Sequence, residues 1–162
     1  MTTFKYNKNK EITMIHIGSD HAGYKLKEEI KKYLTEKNYE FEDLTPKFNE
    51  KDDYPDAAQK VAEQVLNKKS KGILICGTGI GMSIAANKVP GIRAALCSSK
   101  KAAELAKKHN NSNILVLSGW LDKADNVEEI IETWLKTEYE RQRHEKRLEK
   151  IRVIEQKFSK NI

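Results

Sequence analysis

Short apolar runs alternate with longer amphipathic runs along the chain from Met14 onward. The short runs are rich in aliphatic residues and predict five strands, at residues 14–18, 39–44, 72–77, 92–98 and 114–119. The amphipathic runs predict helices at residues 21–37, 56–69, 80–88 and 100–110, and then a long helical tail from about Asn126. Strands separated by helices indicate a Rossmann-like α/β fold with three layers, α/β/α, in which the middle layer is a five-stranded parallel sheet.

Length and composition narrow the class of protein. The 162 residues suffice for one domain, expected at residues 14–162, after a basic and polar N-terminal extension, residues 1–13, that we expect to be flexible. No apolar run approaches the roughly 18 residues that cross a bilayer, so a membrane protein is not expected. The net charge is +6, but lysines alternate with glutamates along the helices as on solvated faces, so we do not expect nucleic acid as a partner.

The two cysteines lack the spacing of a metal site and do not indicate a disulfide framework. They favour a reducing compartment, and we expect the protein to be cytoplasmic.

Three of the eight glycines fall within five residues, in the segment CGTGIG at residues 76–81. This segment joins the third strand to the third helix, where backbone N–H groups point toward a ligand above the sheet. It is neither a Walker loop, which needs a lysine, nor a dinucleotide fingerprint, which needs glycine where Met82 stands. The remaining interpretation is a nest of N–H donors for a small oxyanion such as an enediolate, or for a hydroxyl-rich sugar.

Cys76 opens this loop, beside the positive end of the next helix dipole, which favours a thiolate that acts as base or nucleophile. The alternative is a buried packing residue, the role that we expect for Cys97, which lacks such a loop. Asp20 and His21 follow the first strand, and Asp20 faces the same crevice as Cys76 if strands one and three are neighbours. Alternatively, Asp20 is the N-cap of the first helix.

Three further features leave two interpretations each. The irregular segment 45–56 is either a ligand loop or a plain surface connection. His109 closes the fourth helix, as a catalytic group or as a cation at a helix C-terminus. Arg143 and Arg147 project from one face of the tail, where they bind a phosphate or form a solvated face. Because the tail has a polar middle and an apolar end, we expect it to reach a partner subunit.

Together these segments resemble the type B ribose-5-phosphate isomerase family, which includes the galactose-6-phosphate isomerase subunits. The resemblance rests on GSDHAG (18–23), DYPDAA (53–58), GILICGTGIGMSIAANKVPGIRAA (72–95), KKHNNSN (107–113) and RQRHEKR (141–147). It implies an aldose–ketose isomerase of the non-oxidative pentose phosphate pathway, without metal or cofactor, that interconverts D-ribose 5-phosphate and D-ribulose 5-phosphate through an enediolate. It also implies a homodimer or dimer of dimers with sites at the subunit interface. Residues 118–126 do not align with the family pattern.

The same resemblance implies the catalytic roles. His109, assisted by Asp20, would open the sugar ring, and Cys76 would move the proton between C2 and C1. Thr78 would pass a proton between the enediol oxygens. The amides that would hold the enediolate are those of Gly77, Thr78, Gly79, Ile80 and Gly81.

The resemblance also implies the binding roles. Tyr54 and Asn110 would bind the sugar, and His21 would hold the phosphate together with Arg143 and Arg147 of the partner subunit. Two alternatives stay open: an isomerase of a six-carbon sugar phosphate, such as allose or galactose 6-phosphate, and a non-catalytic sugar-phosphate-binding protein.

Overall fold

The computed structural model describes residues 13–159. Within them the strands are β1 (Ile15–Ser19), β2 (Phe41–Asp43), β3 (Lys71–Cys76), β4 (Ala94–Leu96) and β5 (Ile114–Ser118). The helices of the same range are α1 (Tyr24–Glu36), α2 (Tyr54–Lys68), α3 (Ile80–Ala86), α4 (Lys100–Asn110), α5 (Val127–Lys136) and α6 (Gln142–Ser159). The α/β class and the five strands are confirmed, while the expected N-terminal extension lies outside the described residues except for Thr13.

The sheet has the strand order β2-β1-β3-β5-β4, and all of its pairings are parallel. β1 and β3 are neighbours, as a crevice shared by Asp20 and Cys76 requires. From β1 the chain adds β2 on one side and β3 on the other, so the order reverses between β1 and β3. Ligands of such sheets bind at the carboxyl ends of the strands at this point.

Helices cover both faces of the sheet. Apolar residues of α1, α4 and α5 bury one face, and those of α2 and α3 bury the other. The strands β1 and β5 are buried along their whole length, as in parallel sheets that are covered on both sides. No helix in residues 13–159 combines the length and the apolar character needed to cross a membrane.

The predicted single helix from about Asn126 is wrong, because the tail forms two helices. α5 ends where Thr137 turns to an extended conformation (φ −73°, ψ 131°), and α6 begins at Gln142. The polar middle of the tail is the link between them, in which the Glu140 N–H donates to the carbonyl of Lys108 (3.0 Å) at the end of α4. This contact fixes the start of α6 beside α4.

Candidate active site

The glycine loop holds its cysteine through a backbone contact. Cys76, the last residue of β3, is 4% exposed, and the Gly79 N–H donates to its Sγ at 3.1 Å. The Ile80 N–H donates to Thr78 Oγ1 at 3.2 Å. Two of the five amides expected to hold an enediolate therefore donate within the loop. The loop therefore aims a backbone hydrogen-bond donor at the sulfur.

Gly79 requires its glycine, since its φ is +79° and a side chain would meet Leu96. Two aromatic rings lie against the other two glycines of the loop. A Cβ at Gly77 would lie 2.7 Å from the Trp120 ring, and one at Gly81 would lie 2.7 Å from Tyr54. The sequence reasoning included Tyr54 but missed Trp120. The signal in the sequence that could have identified Trp120 is its position two residues after β5, the strand that pairs with β3.

Residues at the end of β5 and just after it hold the glycine loop through hydrogen bonds. The Ser118 hydroxyl donates to the Gly77 carbonyl at 2.7 Å, and the Trp120 N–H donates to the same oxygen at 2.9 Å. The Gly119 N–H donates to the Cys76 carbonyl at 2.9 Å. The loop is therefore held in place before any ligand arrives, which suits a preorganised site.

Asp20 lies beside Cys76 at the carboxyl edge of the sheet. The register pairs Ser19 with Ile75, which places the next residues, Asp20 and Cys76, level with each other. Asp20 is 7% exposed, and this burial raises the pKa of its carboxyl above the ordinary value. It is not the N-cap of α1, because Gly23 occupies that position; Asp20 Oδ1 instead accepts from the Gly23 N–H at 3.0 Å.

His21 is paired with a residue of the irregular segment. Asp52 Oδ1 accepts from the His21 backbone N–H at 2.9 Å and lies 2.8 Å from its Nδ1. The hydrogen bond that the Asp52 carboxylate accepts raises the pKa of His21 above its ordinary value. The segment 45–56 is thus attached to a predicted ligand residue, and its last residues form the start of α2.

A buried lysine anchors this segment. Lys27 of α1 is fully buried, and its Nζ lies 2.9 and 2.8 Å from the two carboxylate oxygens of Asp43. It also donates to the carbonyl of Thr45, while the Thr45 hydroxyl accepts from the Ser19 N–H at 2.9 Å. These bonds fix the loop to the end of β1, next to His21.

The remaining predicted residues form a second group around His144. The ring of His109 stacks on that of His144, with 4.3 Å between centroids and 18° between planes. Arg143 Nε lies 3.5 Å from His144 Nε2, and an Arg147 nitrogen lies 3.3 Å from Nδ1. Burial lowers the pKa of His144, and the neighbouring His109, Arg143 and Arg147 lower it further. An imidazole with a lowered pKa therefore lies between two guanidinium groups.

Within the described part of the chain, one set of side chains has the composition of a metal site. Ligand atoms of His109, Glu140 and His144 lie within 4.8 Å of one another. Arginines, however, approach both ring nitrogens of His144, where a metal ion would compete with two fixed positive charges. Donors of this kind suit an anion, such as a phosphate, better than a cation.

The two groups lie at opposite ends of the parallel strands. We call the side of the sheet where the strands end the carboxyl edge, and the side where they begin the amino edge. Arg93, which directly precedes β4, donates from Nε to the carbonyls of Asn110 and Asn111 at 3.0 Å, so the end of α4 lies at the amino edge. Cys76 lies at the carboxyl edge, and β5 between the edges spans roughly 13 Å, at about 3.3 Å per residue. We call the first set the carboxyl-edge group: Asp20, His21, Tyr54 and residues 76–81. The second is the amino-edge group: His109, Asn110, Arg143 and Arg147. One chain does not bring the two groups together.

Comparisons with known proteins show the family and the fold of this chain. A family model described as Ribose/Galactose Isomerase matches residues 15–151. A structure of Clostridium thermocellum ribose-5-phosphate isomerase B has a TM-score of 0.86 at 49% identity and covers 90% of this chain and 99% of that one. The corresponding Mycoplasma genitalium structure, with bound ribulose-5-phosphate, has a TM-score of 0.83 at 43% identity over 88% of this chain and 96% of that one. The Escherichia coli K12 ribose-5-phosphate isomerase B is 42% identical over 144 residues, 88% of this chain and 97% of its own length.

Proposed function

The chain belongs to the ribose/galactose isomerase family, and we propose that it interconverts ribose 5-phosphate and ribulose 5-phosphate. The observation that carries this reaction is the Gly79 N–H aimed at Cys76 Sγ, beside the buried Asp20. This arrangement provides a sulfur base next to a carboxyl group in a crevice at the carboxyl edge, where such sheets bind ligands.

Ring opening is assigned to His109 and Asp20. The furanose opens when a proton leaves the anomeric hydroxyl and another reaches the ring oxygen. Because its pKa is raised, Asp20 retains a proton to higher pH than an exposed carboxyl and suits a supporting donor. His109 is half-buried at the end of α4 and supplies the second side chain that transfers a proton.

Isomerisation is assigned to the glycine loop. The Cys76 thiolate takes the proton from C2 of the open aldose, and the electron pair of that C–H bond forms the C1–C2 double bond of an enediolate. Thr78 passes a proton between the two enediol oxygens, and Cys76 returns its proton to C1, which gives the ketose. The amides of the loop that face the sugar stabilise the negative charge, which exists only on the reaction path.

Substrate binding is divided between the two groups. His21 of the carboxyl-edge group and the guanidinium groups of Arg143 and Arg147 hold the phosphate. Tyr54 and Asn110 contact the sugar. Exposure of both arginines leaves their N–H groups available for an anion, for which a pair of guanidinium groups is well suited.

The protein is proposed to act as a homodimer in which the amino-edge group of each chain completes the carboxyl-edge group of its partner. The separation of the two groups within one chain supports this assembly. Apolar side chains support it as well: Ile80 and Ile84 of α3 are 52% and 57% exposed, and Ile154 and Phe158 of α6 are 57% and 62% exposed. Apolar surface on the helices that carry residues of both groups suits contact between copies. Both described cysteines are free thiols, which suits the cytoplasm.

The test is isomerisation of ribose 5-phosphate by the purified protein in excess EDTA, with allose 6-phosphate and galactose 6-phosphate run in parallel. We expect turnover of the pentose phosphate at the same rate with and without the chelator. If the protein turned over a hexose phosphate and not ribose 5-phosphate, the proposed substrate would be wrong and the hexose phosphate would take its place. A folded protein that binds these sugars without turning any of them over would be a binding protein.

A further inference from the structure

We propose that Asp52 is a positioning residue for phosphate binding, which holds the His21 ring and its proton so that Nε2–H faces the phosphate of the substrate. The inference rests on the proposed function, in which His21 is a phosphate ligand. Asp52 itself has no contact with the sugar in this assignment and acts through His21.

The geometry fixes the orientation of the imidazole. One carboxylate oxygen, Asp52 Oδ1, bonds both the backbone N–H of His21 (2.9 Å) and its ring Nδ1 (2.8 Å). Because the backbone N–H and the ring of His21 share this oxygen, the orientation of the ring is fixed relative to the backbone of the same residue. With Nδ1–H donating to Asp52, Nε2 points away from the carboxylate, and in the imidazolium it carries a second N–H that can donate to a ligand. The His21 side chain is 42% exposed, so this second donor is accessible to a ligand.

The charge of Asp52 favours the protonated form of the His21 imidazole. The charged groups that face His21 are Asp52, from the segment before α2, and Asp20, from the end of β1, and both raise the pKa of the imidazole. The Asp52 hydrogen bond is the larger cause. Arg143 and Arg147 of a partner subunit would act in the opposite direction. A protonated His21 offers a charge-assisted hydrogen bond to a phosphate before the substrate arrives.

The fold presents Asp52 through a local turn. The Asp52 N–H donates to the Asn49 carbonyl at 3.2 Å, and the Lys51 N–H donates to Asn49 Oδ1 at 3.1 Å. The other end of the segment is attached to β1 through Thr45. The carboxylate is therefore brought to His21 by an anchored loop, although 30 residues separate the two in sequence.

Asp52→Asn separates orientation from charge, because the amide oxygen still accepts from Nδ1–H while the negative charge is gone. We expect the His21 ring protons to titrate at lower pH in NMR spectra. KM for ribose 5-phosphate should rise roughly three- to tenfold at pH 8, with kcat little changed, and should rise less at pH 6, because His21 of the variant loses its proton at a lower pH than His21 of the wild type. Asp52→Ala, which also loses the acceptor, should weaken binding at both pH values. Glu50→Gln removes an exposed charge from the same loop and should change neither measurement.

Calorimetry with inorganic phosphate repeats the test without turnover. We expect Asp52→Asn to weaken phosphate binding more at pH 8 than at pH 6. This result in a protein without isomerase activity would reject the proposed function and retain the role of Asp52. A variant whose His21 titration, KM profile and phosphate affinity all follow the wild type would overturn the inference.

Discussion

Cys76 and His109 lie at opposite edges of one parallel sheet, with the length of β5 between them. The proposed reaction needs both residues at one sugar, since ring opening and proton transfer between carbons act on neighbouring atoms. A second chain resolves this difficulty, because a two-fold dimer contacts the same surfaces reciprocally. Cys76 and His109 of one chain then serve two different sites.

Cys76→Ala should abolish the proton transfer between C2 and C1. We expect kcat to fall by about 10²- to 10⁴-fold, the contribution typical of a positioned base, with ribose 5-phosphate still bound. Cys97→Ala is the matched control, because burial raises the pKa of the Cys97 thiol to about 11 and keeps it inert. Turnover and a binding measurement on both variants make the comparison. A Cys76→Ala protein with near wild-type kcat would remove the base assignment.

Gly77→Ala should displace the Trp120 ring, since the new Cβ would lie 2.7 Å from it. We expect a lower free energy of unfolding in denaturant and a lower kcat/KM. Adding Trp120→Ala should recover part of the stability, with a coupling of about 0.5–3 kcal/mol in a double-mutant cycle. In Gly81→Ala the clash is with Tyr54, so Trp120→Ala should give no recovery there. Equal recovery in both backgrounds would contradict the close packing.

Lys27→Met should destabilise the protein by about 3 kcal/mol, because it leaves the partly buried Asp43 with one fewer cation. Burial acts to raise the pKa of Asp43, but hydrogen bonds from Lys27 and Lys31 hold it below the ordinary carboxyl value. A carboxyl with a lowered pKa contributes stability above its unfolded pKa and loses it as the pH falls through the folded pKa.

The difference in free energy of unfolding between Lys27→Met and wild type should therefore be largest at neutral pH. It should shrink as the pH falls below about 4, the ordinary range of a carboxyl group, and Asp43 takes up a proton. Denaturant unfolding at several pH values measures it, and the exposed Lys32→Met serves as the control. A difference that stays constant down to the acid limit would show that the loss comes from packing rather than from the ion pair.

The strand and helix pattern was predictable because a parallel sheet with two covered faces shows as alternating apolar and amphipathic runs. The fourth helix, residues 100–110, has the predicted bounds. The break at Thr137 was not predictable, since no glycine or proline marks it and a contact with Lys108 fixes it instead. The pairing of His21 with Asp52 likewise depends on how a long loop folds back.

The location of His109 could have been predicted from the sequence. A helix that follows a parallel strand starts at the carboxyl edge and ends at the amino edge, so a residue in its last turn lies far from the glycine loop. The predicted residues therefore belong to two groups. Only the direction of the helix, and not the motif itself, separates them.

The most direct measurement mixes two inactive chains. Cys76→Ala and His109→Ala proteins are unfolded together in equal amounts, refolded and assayed with ribose 5-phosphate, beside wild type treated in the same way. If sites are shared between chains, half of the dimers are mixed and each holds one intact site, so activity should return to about a quarter of that of refolded wild type. A mixture no more active than its parents, with full recovery of the refolded wild type, would contradict the shared site.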